Sequence, residues 1–177
     1  VTLTERSANS KLFTGTITLS SSSPIAGDGL VTALDGETLR AQYIDALDCA
    51  NNANAAYQAT AQLDCVAPLI NGVGATGITG TQATIAWTTN ELPGGTVVWG
   101  PTIPPGTAAP GASETASHSI TLTGLQECTA YYYEVRSRDV AGNLASANNG
   151  GQYFFFETLG DFGSGLQPCH AGTVTTA

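Results

Sequence analysis

The sequence predicts an all-β chain divided into two sandwich modules in tandem, and three observations carry that expectation. Apolar residues recur with period two in short runs, for example Ala83, Ile85 and Trp87, or Tyr131, Tyr133 and Val135, which is the spacing that lines one face of a strand. The residues between are largely small, β-branched or hydroxylated, and 21 glycines supply turns. A boundary at residues 64–68, Asp-Cys-Val-Ala-Pro, ends an Asn- and Ala-rich stretch and opens a new extended run at Pro68. The 177 residues suffice for one or two domains with their own cores.

Charge and cysteines narrow the function classes. Lys and Arg total 5 against 14 Asp and Glu, a net charge of −9. Nucleic acid and anionic membrane surfaces recruit basic patches, so neither is an expected partner. Apolar runs fall well short of the ~18–20 residues of a membrane helix, so no membrane insertion is expected. The acidity reads as solubility of a secreted protein. Cys49, Cys65, Cys128 and Cys169 are even in number and contain no C-x-x-C, which favours disulfides in an oxidising compartment over zinc or redox chemistry. The expected location is extracellular or at the cell surface.

Taken in order, residues 1–4 alternate as a strand, and residues 12–20 form a second one with Gly15 as a bulge. Residues 30–34 are a short strand before the Asp35-Gly36 turn, and residues 38–44 are a third alternating strand. Asp45, Asp48 and neighbouring carbonyls are weak calcium candidates without an EF-hand loop, and no cofactor is expected. Residues 49–65 are a loop or linker bracketed by Cys49 and Cys65, with a short helical turn near residues 53–62. A disulfide closing it would contribute about 3 kcal/mol in the chain-entropy model.

Glu5, Asn9, Phe13, Gly15, Asp35, Gly36, Tyr43 and Asp45 resemble the pattern of an Ig-like sandwich module found in large bacterial surface and secreted proteins. The resemblance covers residues 1–48 and implies an incomplete module, because strands that normally precede the first one are missing. Residues 160–177 are a Gly-rich linker followed by an alternating stretch, Cys169 to Ala177, that looks like the first strand of another such module. The expectation is a chain that begins inside one module and ends at the start of the next. Either the sequence is a fragment of a longer repeat protein, or Gly172, Thr173, Val174, Thr175 and Thr176 are an inter-subunit strand that completes a neighbouring copy by head-to-tail β-strand complementation.

Residues 66–159 resemble a fibronectin type III domain, closest to the variety at the N-terminus of purple acid phosphatases. Leu125 followed by Thr129-Ala130-Tyr131 looks like the corner at which a tyrosine hydroxyl bonds back to upstream backbone. The resemblance implies strands at residues 69–76, 82–89, 95–100, 118–122, 129–138 and 152–158, with Trp87, Tyr131, Tyr133 and Leu125 in the core. Residues 101–111 are expected as a loop, and Asp139 to Asn143 as a tight turn in which Gly142 takes positive φ. Cys128 and Cys169 are left to pair by elimination, although four cysteines allow three connectivities.

No residue pattern suggests catalysis. His118 and His170 lack a triad or a carrier motif such as G-x-S-x-G. Trp99 and the run Tyr153 to Phe156 are candidates for an exposed aromatic platform, in which alternate residues must face opposite ways. The expected function is a non-catalytic extracellular structural module: a repeat unit or subunit of a prokaryotic surface filament whose partners are other copies of itself. The alternatives are a glycan-binding or adhesive module and an accessory domain of a large secreted hydrolase. No N-x-[ST] sequon is present.

Overall fold

The computed structural model describes residues 4–5, 13–20, 25, 30–47, 53–163 and 165–169. They form two units, Val1–Val66 and Ala67–Ala177, built from strands.

In the first unit the strands are β1 (Thr4–Glu5), β2 (Phe13–Thr14), β3 (Thr18–Ser20), β4 (Leu30–Thr32), β5 (Thr38–Leu47) and β6 (Ala53–Gln62). Among the described residues they pair only in twos: β1 with β2 and β5 with β6 antiparallel, β3 with β4 parallel. The strand expected over residues 12–20 is therefore broken, and Gly15 falls in the break. The helical turn expected near residues 53–62 is a correction. These residues are a strand whose partner is β5, in register from Thr38 opposite Gln62 to Leu47 opposite Ala53. The stretch read as a linker thus belongs to a hairpin. Alanine content favours a helix locally, but ladder pairing along ten residues overrides that weak preference. Gly36, at φ +77, closes the turn before β5 and donates its N–H to the Leu63 carbonyl.

The second unit is a β-sandwich of the immunoglobulin-like and fibronectin-like kind. Its strands are β7 (Ile70–Thr76), β8 (Gln82–Thr89), β9 (Gly94–Gly100), β10 (Thr107–Pro110), β11 (Ser117–Thr123), β12 (Ala130–Arg138), β13 (Leu144–Ala147), β14 (Phe154–Glu157), β15 (Gly160–Asp161) and β16 (Leu166–Gln167). One sheet runs β11-β8-β7. The other runs β10-β9-β12, with β13 and β14 sharing the far edge of β12. Two expectations are corrected here. The Pro/Gly/Ala loop of residues 101–111 contains β10, which pairs with β9. The strand expected over residues 152–158 spans only Phe154–Glu157, and an unexpected strand, β13, precedes it on the same edge; the six residues between Ala147 and Phe154 leave the ladder and oppose only Glu134. This excursion holds a 3-10 turn, Asn149–Gly151, and places Asn149 and Tyr153 at positive φ.

The core lies between the two sheets. Ala83, Ile85 and Trp87 of β8 face Tyr131, Tyr133 and Val135 of β12, and all six are buried. Trp87 is 2% exposed and donates its indole N–H to Ser137 Oγ at 3.0 Å, which satisfies both groups inside the core. Leu125 packs at one end, where the Gln126 N–H donates to the Tyr131 hydroxyl at 2.9 Å. That is the corner expected from the sequence. Burial pushes the Tyr133 hydroxyl up to about 12.

Candidate functional site

The residues singled out from the sequence are dispersed rather than gathered. Cys128 and Cys169 form a disulfide that ties the hairpin of β15 and β16 to the start of β12. Cys65 is a free, exposed cysteine, and its expected partner Cys49 lies outside the described residues. Asp48, His170 and the terminal residues Gly172, Thr173, Val174, Thr175 and Thr176 also lie outside them, as does the side chain of Asp45. Trp87, Tyr131, Tyr133 and Leu125 all sit in the second unit's core.

His118 is a core residue. It is buried opposite Trp87, its ring stacks on the indole at 4.6 Å with 12° between planes, and Nε2 lies 3.4 Å from Thr89 Oγ1. Burial lowers its pKa, so the imidazole is held neutral. Such packing makes its ring part of the core between the sheets.

The aromatic platform is smaller than the sequence suggests. Trp99 is half-buried, tilted against Tyr131 at 5.5 Å, and packs on the core. Strand alternation sends Phe154 and Phe156 inward and leaves Phe155 outward, 69% exposed, with its ring 6.5 Å from Tyr132.

The outward face of β12 carries the densest polar chemistry of the second unit. Tyr132, Glu134, Arg136 and Arg138 follow one another at period two. Glu134 is 6% exposed and pairs with Arg136, whose Nε donates to Oε1 at 2.7 Å. Arg138 donates from Nη1 to the Gly142 carbonyl at 2.6 Å. The turn that follows is built by Asp139, whose Oδ1 accepts from the Gly142 and Asn143 N–H groups at 2.7 and 2.8 Å. Burial raises the Asp139 pKa, but the Asn143 side chain and the turn's N–H groups outweigh it and leave the carboxyl below its ordinary value. Arg136, Arg138, Thr96, Glu114 and Leu144 line a groove of about 490 Å³ at this end of the sheet. A sequence reading centred on aromatics and cysteines passes over these arginines, although their i, i+2 spacing on a predicted strand was the signal that could have found them.

No protein-family model matches the chain. Exoglucanase B of Cellulomonas fimi is 32% identical over 122 residues, which is 65% of this chain and 11% of that protein. The chain therefore spans about a tenth of the length of that relative. Among solved structures, a redesigned β-sandwich protein is 22% identical, covering 54% of this chain and 98% of its own, with a TM-score of 0.38. The sensor domain of the anti-sigma factor RsgI4 from Pseudobacteroides cellulosolvens is 17% identical, covering 54% and 100%, with a TM-score of 0.35.

Proposed function

We propose that this chain is a non-catalytic, extracellular β-sandwich module that serves as an accessory domain of a large secreted glucan hydrolase. The observation that supports it most is the 32% identity to a segment within exoglucanase B, a protein about nine times longer than the match. Three features of the second unit fit. Its strand order and tyrosine corner suit a fibronectin type III domain. Its disulfide suits an oxidising compartment. Its one described histidine is committed to the core. The module would position or space other domains and contact what they act on. Peptide mapping of the native secreted protein tests this: the parent chain should carry a glycan-hydrolase domain, and a parent without one overturns the reading.

A second reading, a filament subunit joined by strand donation, is favoured by the first unit. Its described strands pair only in twos and leave Leu19, Leu30, Tyr43 and Ile44 exposed. Deleting residues 170–177, which spares the disulfide at Cys169, should abolish filaments seen by electron microscopy. A monodisperse monomer before and after deletion sinks that reading.

A further inference from the structure

We infer that the groove between the ends of β9 and β12 is a binding site for a neutral saccharide. Its volume of about 490 Å³ lies in the usual range of ligand sites, ~300–1,000 Å³. Two of the chain's five basic residues, Arg136 and Arg138, meet there. Arg138 spends one guanidinium N–H on the Gly142 carbonyl, which leaves the rest of its donor fork for a ligand. Thr96 and Ser113 add hydroxyls, and Glu114 adds an acceptor.

The charges select the ligand class. An anion would meet the Glu114 and Asp139 carboxylates and a chain of net charge −9. A cation would meet two guanidinium groups. A polyhydroxylated neutral molecule suits the mixture, because each hydroxyl can accept from arginine and donate to a carboxylate. Leu92, Val140 and Leu144, 60%, 88% and 49% exposed, offer aliphatic surface at the rim to the C–H face of a sugar ring.

Gly94 supplies an independent argument. Its neighbour Gly95 is glycine for the core's sake, since a Cβ would lie 2.5 Å from His118 Nδ1 and 2.6 Å from Trp87 Cζ2. Gly111, also in the groove, has the same excuse, with Ile120 Cδ1 at 2.8 Å. Gly94 has none. A Cβ there meets only the Arg138 carbonyl at an ordinary 3.8 Å, and its φ is not positive. Gly94 opens β9, and the missing side chain leaves its backbone bare to whatever enters the groove, one of the uses of glycine in a strand. Gly94 stands opposite Arg138, on the wall of the groove.

The test is amide NMR of the whole chain titrated with cellotetraose, xylotetraose, mannotetraose and, as the charged comparator, tri-galacturonic acid. At least one neutral oligosaccharide should give saturable shifts at Gly94, Thr96, Arg138 and Leu144. Gly94→Val should abolish them while leaving the thermal midpoint unchanged, and Arg138→Ala should weaken binding about tenfold or more. Silence with all three neutral probes overturns the assignment. So do shifts confined to Tyr132 and Phe155, binding of the charged trimer alone, or undiminished binding by Arg138→Ala, a variant that keeps the test decisive if Gly94→Val fails to fold. The assignment rests on the accessory-domain reading only for its biological setting. A parent chain without a hydrolase overturns that reading and leaves the groove standing; a silent groove does the reverse.

Discussion

The two units draw on similar strand-forming residues, yet among the described residues only the second turns strands into a core. In the second unit, β8 and β12 belong to different sheets and press Ile85, Trp87, Tyr133 and Val135 together. In the first unit, the β5–β6 hairpin is the longest antiparallel ladder, and no described side chain on it is buried. Tyr43 stands directly opposite Tyr57, and they remain 45% and 53% exposed. Alternation and register are enough to pair two strands. Burial needs a second layer packed against the face of the sheet. Stability in this chain should therefore be concentrated in the second unit, and substitutions can test that unevenness.

The sharpest test sets Trp87→Ala beside Tyr43→Ala. Removing the buried indole leaves a cavity and an unpaired Ser137 hydroxyl, at a cost of about 3–5 kcal/mol. Tyr43→Ala, which removes a half-exposed cross-strand pair with Tyr57, should stay within about 1 kcal/mol. Denaturant unfolding followed by Trp99 fluorescence reads the first and by far-ultraviolet circular dichroism the second, and equal effects would break the comparison. Next in size is the disulfide. Cys128 and Cys169 are 41 residues apart, and the chain-entropy model assigns such a crosslink about 4 kcal/mol. Replacing both by serine should cost about 2–4 kcal/mol and open residues 160–169 to proteolysis. A variant with wild-type stability and protease resistance would show that the hairpin holds without its staple.

The second unit was more legible in the sequence than the first, for a physical reason. Its strands bury one face, so hydrophobic alternation, the Leu125–Tyr131 corner and the Asp139 turn all carry signal. What stayed hidden there was β10, masked by Pro and Gly around it, and β13 with the six-residue excursion after it. Neither writes a hydrophobic period. In the first unit, β6 is Ala, Asn, Gln and Thr around a single Tyr57, and none of its side chains is buried, so no period distinguishes strand from helix or loop. The groove was illegible for a different reason. It depends on the register that sets Arg136 opposite Thr96 and Arg138 opposite Gly94, and register is a long-range property.

The corner offers a smaller and more local test. Tyr131→Phe keeps the ring and its packing but removes the oxygen that receives the Gln126 N–H. The expected loss is about 1 kcal/mol, the net worth of one part-buried hydrogen bond. Fast hydrogen exchange should appear at the Gln126 amide and leave the β5–β6 amides unchanged. A loss as large as that of Trp87→Ala would mean that the corner, and not the facing sheets, organises the unit.

The weakest expected effect is the dependence on pH, which two groups of the second unit carry. His118 is held neutral, so its folded pKa lies below the unfolded value of 6.5. Between those two values the unfolded chain binds the extra proton, so stability falls as pH drops below about 6.5 and levels off once the folded imidazole also protonates. Asp139 acts lower on the scale. Its pKa is depressed below 3.8, so the stability it lends is complete above that value and is lost as pH falls through the folded pKa. His118→Gln should flatten the slope of the unfolding midpoint between pH 7 and pH 5 while leaving the acid limb below pH 4 in place. If the variant keeps the full slope near pH 6, the titrating group lies elsewhere, and the buried stack on Trp87 is not what makes the second unit sensitive to acid.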